Sequence, residues 1–314
     1  MLQLGIVGLG GISQKAYLPY MRQVTGVHWH LFTRQKQILE EVNMLFGSST
    51  AYDSLDSLAE HPLDGVFIHV ATSAHFDIAK LFLKKGIPVF MDKPLTEDYT
   101  STKALYDLAK DHKTFLMAGF NRRFAPRIME MKKVEDKNHI RTFKNAVNAP
   151  ADFQYKLFDM FIHPLDTALF LTNNVVKRGY FVTKRDGNKI LQVSVTLETD
   201  SEIIEASMNL QSGSRREIIE IESPEVTYSL DDLSNLSVID GFDRRAIGFG
   251  SWASTLEKRG FEPMIDAFIQ AITTGVNPIS PKSSLLSHFI CDQINKANAP
   301  FGMLNLNICF LYTF

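Results

Sequence analysis

The tightest constraint on this chain lies within its first thirteen residues, where an apolar, strand-like run, Leu4-Gly5-Ile6-Val7, leads straight into Gly8-Leu9-Gly10-Gly11-Ile12-Ser13. Beyond it, Gln14 to Arg22 can continue as a helix in which Pro19 is the one poor residue. A strand that ends in such a turn and opens a helix is the fingerprint of a dinucleotide-binding β-α unit. Gly8 permits the tight turn and Gly10 lets the backbone approach a pyrophosphate. Ser13 is small enough for close packing of helix on sheet, and the helix N-terminus faces the anion. Gly11 and Ile12 complete the phosphate-facing loop. Glycine-rich turns also serve purely as turns, so the surrounding pattern has to decide.

That pattern repeats. Strand-like runs at Leu4 to Val7, Val27 to Phe32, Gly65 to Val70, Pro88 to Met91 and Thr114 to Met117 alternate with amphipathic stretches that follow Ser13, Arg34, Ser54, Ala74 and Thr100. Thr96 to Tyr99 is a polar start signal ahead of the last stretch. Alternation of this kind specifies an α/β fold, a parallel sheet with crossover helices, and assigns residues 1–120 to a Rossmann domain. After Arg123 the rhythm changes: a helix-like stretch at Pro126 to Val134 leads to an extended run at Ile140 to Val147. Strand-like segments follow from Gly179 to Val238, with Asp200-Ser201 as a hairpin turn between Leu191 to Leu197 and Ile203 to Leu210. Helical periodicity returns at Glu262 to Thr274 and Ser283 to Ala297. Residues 121–314 are therefore expected to form an α+β domain on a mostly antiparallel sheet.

Composition narrows the partners. The 314 residues carry 33 basic and 35 acidic side chains, a formal charge of -2, which supplies no field to attract nucleic acid or an anionic membrane. A small molecule fits better. The two cysteines, Cys291 and Cys309, form no metal-type cluster and argue against a disulfide scaffold or structural zinc, which points to a reducing cytoplasm. Met1-Leu2-Gln3-Leu4 has none of the marks of an export signal. The apolar tail from Phe301, interrupted by Asn305 and Asn307 and ending Phe310-Leu311-Tyr312-Thr313-Phe314, is shorter than the roughly 20 residues of a spanning helix. It reads as a segment that packs within the chain or against a neighbour.

An NAD-selective site would place Asp or Glu at the end of the second strand to bond the ribose hydroxyls. Here that place holds Thr33-Arg34, with Lys36 nearby, a hydroxyl and a guanidinium better suited to a 2'-phosphate. NADP is therefore preferred over NAD, against the alternative that Arg34 only starts a solvated helix. Three further segments follow strands at their carboxyl ends, where ligands of open α/β sheets bind. They are Ala71-Thr72-Ser73-Ala74-His75, Asp92-Lys93-Pro94 and Gly119-Phe120-Asn121-Arg122-Arg123. From them Ala71, Thr72, His75, Asp92, Lys93 and Asn121 are expected on the cofactor side. Lys93 can hydrogen-bond a substrate oxygen as that oxygen gains or loses a proton, unless it is a surface lysine before a turn proline. In the second domain Asp159 and His163 stand at i and i+4, so on a helix they share a face. A carboxylate one turn away can orient an imidazole for acid/base work, although a histidine in an apolar helix is also an ordinary core residue.

These segments, in this order, resemble the Gfo/Idh/MocA oxidoreductase family, and most of all its bacterial virulence-factor MviM-like members. The resemblance covers most of the chain. It rests on Gly8 to Ser13, Thr72 with His75, Asp92-Lys93-Pro94, Gly119 to Phe124, and Asp159 with His163, while Trp252 to Phe261 looks like the MviM-like subgroup. It implies a Rossmann domain followed by a domain on a large open sheet, which commonly forms the oligomer interface. It also implies that Lys93 is the catalytic lysine and His163 the catalytic histidine, with Asp159 its carboxylate. The family's usual Glu-Lys-Pro is here Asp92-Lys93-Pro94, one methylene shorter, and Gln154-Tyr155-Lys156 stands where many members carry a glycine pair. The expected activity is hydride transfer between a nicotinamide and a sugar-like or cyclitol-like substrate. Arg123 and Trp252 are candidates for the substrate wall, or else a salt bridge and a packed aromatic. The rival readings are a dinucleotide-binding sensor without turnover and, with less support, a methyltransferase using the glycine turn for another adenosine ligand.

Overall fold

The computed structural model describes residues 1–306, so Cys309 and the run Phe310 to Phe314 lie outside the described residues. The first apolar runs become β1 (Leu2–Val7), β2 (Val27–Phe32), β3 (Ser49–Ala51), β4 (Gly65–Ile68), β5 (Val89–Asp92) and β6 (Leu116–Gly119). They form one sheet in the order β3-β2-β1-β4-β5-β6, with every pairing parallel. Because crossover helices cover both faces, β4 and β6 are buried at every position and read as continuous apolar runs. β3 has no such signature. It is a three-residue edge strand of Ser-Thr-Ala paired on one side with β2, and the apolar pattern does not disclose it. The chain runs outward from β1 in one direction and from β4 in the other, so the β1/β4 boundary is the topological switch point.

Helix starts follow the local chemistry. The Ser54 side chain accepts from the Ser57 N–H ahead of Leu55–Glu60, and the Asp98 carboxylate accepts from the Ser101 N–H ahead of Tyr99–Asp111. The helix after the glycine turn is not uniform. Ser13–Tyr17 is wound as a π-turn, and Leu18–Met21 restarts as an α-turn with Pro19 in its first positions.

Two compact units emerge: Met1–Gly119 with Phe261–Pro281, and Phe120–Gly260 with the chain from Lys282 onward. The sequence alone puts everything after residue 120 in the second domain, whereas the segment Phe261–Pro281 returns to the first unit. Aromatic packing explains it. Phe268 of the helix Phe261–Thr274 places its ring 4.7 Å from Phe67 and 5.6 Å from Phe90, both on the parallel sheet. Tyr20 adds a 2.8 Å hydrogen bond to Asp266.

The second unit is built on a ten-stranded sheet. Its strands are β7 (His139–Val147), β8 (Ala151–Asp152), β9 (Arg178–Asp186), β10 (Lys189–Glu198), β11 (Ile203–Ser212), β12 (Glu217–Glu222), β13 (Thr227–Asp231), β14 (Asn235–Asp240), β15 (Asp243–Ile247) and β16 (Phe301–Met303). The order is β15-β14-β13-β12-β7-β11-β10-β9-β16, with β8 beside β10, and only the β7/β11 pairing is parallel among the described residues. The hairpin at Asp200-Ser201 is present, closed by the Thr199 N–H on the Glu202 carbonyl. The alternating residues Ile204, Ala206, Met208 and Leu210 of β11 are buried. On the sheet lies the helix Ile162–Leu171, tied to β7 by the Thr142 hydroxyl on the Pro164 carbonyl at 2.8 Å. β16, the start of the apolar tail, is an edge strand on β9. Among the described residues no helix is long and apolar enough to cross a membrane.

Candidate functional site

In the first unit the chemistry gathers at the carboxyl edge of the parallel sheet. Gly8 has φ +96°, and a Cβ there would meet the His69 carbonyl carbon at 2.8 Å and its oxygen at 2.9 Å, so only glycine fits. Its N–H donates to the Phe32 carbonyl at 2.9 Å, which fixes the end of β2 beside the turn. A Cβ on Gly10 or Gly11 would meet no atom within 4 Å, so the loop presents bare backbone to open space. Helical winding begins at Gly11, and the fully buried Ser13 hydroxyl has no hydrogen-bond partner. Open backbone approach and a helix start are what a pyrophosphate requires, while the buried Ser13 lets the helix pack closely on the sheet. Gly8→Ala is expected to cost about 2–5 kcal/mol through left-handed strain and backbone overlap, and to abolish dinucleotide binding. Denaturant unfolding and a fluorescence titration check both.

Thr33 and the exposed Arg34 follow β2 directly, and among the described residues the Arg34 guanidinium has no hydrogen bond or ion pair. Asp92 ends β5. The shorter carboxylate still finds partners: the Tyr17 hydroxyl donates to its Oδ1 at 3.0 Å and the Lys93 backbone N–H at 2.9 Å. Burial pushes the Asp92 carboxyl above the usual range, and the Lys93 charge with these bonds pulls it partly back. Burial, reinforced by Asp92, raises the Tyr17 phenol well above its ordinary value, so it remains a donor. Tyr17 was not singled out from the sequence. Its only signal is a hydroxyl on the buried face of the helix that the glycine turn opens.

His75 is buried, with Nδ1 2.9 Å from the Pro94 carbonyl and Nε2 3.1 Å from the Val70 carbonyl. It clasps the loop after β5 to the loop after β4, and burial lowers its pKa. Ala71 and Thr72 stand at the start of the latter loop, exposed and half-buried. Beneath Gly8, the His69 ring lies 3.9 Å from that of Tyr17, and burial, with the neighbouring His75, holds its pKa at about 3.

In the second unit, Asp159 lies in the π-wound turn Leu157–Phe161 and the buried His163 in the first turn of the following helix. The residue facing His163 is Arg122, whose Nη1 is 2.6 Å from His163 Nδ1. A guanidinium cannot accept, so at this contact Nδ1 is the acceptor. Arg122 is held in turn by Glu217, through Nε to Oε1 and through Nη2 to Oε2 at 2.8 Å. Burial alone would raise the Glu217 carboxyl, but Arg122 with Lys144 brings it down to about 2. Neither Arg122 nor Glu217 was singled out from the sequence.

Arg123, expected on the substrate wall, is instead locked inside the unit. It meets Asp166 through Nε at 2.9 Å and Nη2 at 2.6 Å, and its Nη1 reaches the Ser283 hydroxyl at 2.6 Å. Adjacent residues on the 3-10 turn Asn121–Phe124 point about 120° apart, so Arg122 and Arg123 serve different partners. Asn121, expected to bind cofactor, is buried and donates from Nδ2 to the Arg259 carbonyl at 2.7 Å. Trp252 is 96% exposed.

Comparison with known proteins finds similar chains over most of this chain's length. Residues 2–120 match the Gfo/Idh/MocA profile, described as an oxidoreductase family with an NAD-binding Rossmann fold, and residues 126–241 match the YceM-like C-terminal domain. The chain is 32% identical to YceM of Salmonella typhimurium over 289 residues, 88% of this chain and 91% of that protein. It is 27% identical to inositol 2-dehydrogenase of Rhizobium meliloti over 190 residues, 57% of this chain and 55% of that protein. A crystal structure of the dehydrogenase MviM from Clostridium difficile superposes with a TM-score of 0.86 at 28% identity, covering 94% of this chain and 99% of that one.

Proposed function

The chain belongs to the Gfo/Idh/MocA family of oxidoreductases with an NAD-binding Rossmann fold, and from that premise we propose that it interconverts an alcohol and a carbonyl on a small, sugar-like or cyclitol-like substrate. The observation that carries the reading is the shared placement of Gly8 to Ser13 and Asp92-Lys93 at the carboxyl edge of one parallel sheet. Inositol 2-dehydrogenase among the relatives supports the substrate class. When bound, the nicotinamide supplies or accepts the hydride.

The residues divide the remaining work. Gly8 to Ser13 hold the pyrophosphate, while Ala71, Thr72 and the Asp92-Lys93 loop flank the nicotinamide side. Tyr17 and His75 set the position of that loop. Lys93 carries the proton to or from the substrate oxygen. His163 acts differently from the usual acid/base expectation. With Nδ1 facing the Arg122 guanidinium, the ring serves as a hydrogen-bonding partner of that oxygen rather than as its proton carrier. Asp159 orients the turn that carries it.

Arg34 supports NADP as the preferred cofactor. Fluorescence titration should give tighter binding of NADPH than of NADH, and Arg34→Ala should weaken NADPH by about tenfold while leaving NADH nearly unchanged. Equal loss for both would remove the assignment to the 2'-phosphate. A panel of sugars, sugar acids and cyclitols, followed by absorbance with the preferred cofactor, then tests turnover, and failure to bind either dinucleotide would sink the whole reading.

A further inference from the structure

A cavity of about 200 Å³ opens at the end of β7 and the start of β12. This is below the roughly 300–1,000 Å³ of pockets that enclose a drug-sized ligand, and suits a charged substituent. Its wall includes four cations, Lys144, Arg215, Arg216 and Arg259, and two acids, Glu217 and Asp232. Both acids are already engaged. Glu217 is held by the Nε/Nη2 edge of the Arg122 guanidinium and lies 3.8 Å from Lys144, while Asp232 Oδ1 accepts the Glu217 N–H at 3.1 Å. Arg216 pairs with Asp231 at 3.1 Å. The exposed Arg215 and the half-buried Arg259 remain, and among the described residues neither side chain has a hydrogen bond or ion pair.

Arg259 is built in rather than incidental. Its carbonyl accepts from the buried Asn121 amide, and the next residue, Gly260, has φ +81° and packs so closely that a Cβ would overlap the Asn121 carbonyl. Burial, then the neighbouring Arg122, lowers the Arg259 pKa while Glu217 and Asp232 pull it partly back, and with four cations against two acids the wall carries an excess of positive charge. Glu217 and Asp232 act on the half-buried Arg259 guanidinium only at a distance, without a hydrogen bond or ion pair, and a ligand that brings a counter-charge into direct contact would stabilise it further.

We propose that this cavity binds the anionic group, carboxylate or phosphate, of an acidic sugar-like substrate, with Arg259 as its principal contact and Lys144 and Arg215 in support. The proposal rests on the oxidoreductase reading for the word substrate only. Arg122 touches both Glu217 in the cavity wall and His163, so the anion is held one guanidinium away from the ring that meets the reacting oxygen. A planar guanidinium gives carboxylate and phosphate two parallel bonds, which a neutral hydroxyl does not reproduce.

The test uses the full chain and calorimetric titration at constant ionic strength with inorganic phosphate, glucose 6-phosphate, gluconate and glucose. At least one anionic compound is expected to bind ten or more times tighter than glucose, and the ratio of the phosphate ester to the gluconate identifies which anion fits. Arg259→Gln should weaken that compound at least tenfold, with NADPH affinity unchanged. If Arg259→Gln does not fold, the exposed Arg215→Gln carries the test with an expected loss of severalfold. Glucose binding as well as both anions, or full affinity in the folded variants, overturns the proposal. Anion binding that depends on Arg259 without turnover of any compound would keep this site and remove the oxidoreductase reading, whereas turnover of neutral sugars without anion preference would do the reverse.

Discussion

Lys93→Ala should lower kcat on any compound the protein turns over by about 10³–10⁴-fold, while NADPH affinity stays within a few-fold of the parent. Lys93 leaves the end of β5 with its own N–H anchored on Asp92, and Asp92 is held in turn by Tyr17. Removing the amine therefore takes away the proton carrier and leaves the loop in place. His163→Ala should cost less, about 10²–10³-fold, because on the proposed reading the ring contributes a hydrogen bond and not the proton transfer. The distinction is testable with His163→Gln, whose amide can offer an N–H in place of Nε2 and should recover part of the loss. If both residues serve the same substrate oxygen, as proposed, the double variant Lys93→Ala/His163→Ala should fall little below Lys93→Ala. A Lys93→Ala protein with near-normal kcat would refute the assignment.

The second large effect falls on stability. Arg122→Leu would leave the buried Glu217 carboxylate without its main partner and should destabilise the second unit by about 3–5 kcal/mol, read by denaturant unfolding. Arg122→Leu/Glu217→Leu should recover most of it, because an apolar pair of similar volume escapes the desolvation cost. pH gives an independent check. The Glu217 carboxyl is held at about 2 against an ordinary value of 4.5, so its stabilisation is complete above about pH 4.5 and is lost as pH falls toward 2. About 3 kcal/mol is at stake. The advantage of the parent over Glu217→Gln should therefore shrink through that window. A constant difference from pH 6 to pH 2 would exclude the ion pair as its cause.

What the sequence discloses follows from which rules are local. The positions of Gly8, Asp92 and Lys93 at strand carboxyl ends are legible because Leu4 to Val7 and Val89 to Met91 are apolar runs that mark their strands. β3 is hidden because an exposed Ser-Thr-Ala edge carries no pattern. The π-wound turns at Ser13–Tyr17 and Leu157–Phe161 are hidden because helical periodicity does not register one extra residue per turn. Arg122 and Arg123 are neighbours in sequence with opposite environments, and composition cannot say which faces His163. Glu217 reaches Arg122 across 95 residues of chain. The helix at Phe261–Thr274 is plain as a helix, but its apolar face does not name the surface that it covers.

That helix has a consequence for how the protein is made. The first unit lacks Phe268, and with it a cover for Phe67 and Phe90, until the segment ending at Pro281 is available. On the ribosome this means that β1 to β6 emerge early and wait while β7 to β15 are translated. At about 5–20 residues per second the wait lasts on the order of 10–30 s. Throughout that interval the nascent chain carries an aromatic surface that only its own later portion can close, which makes it a natural client for chaperones.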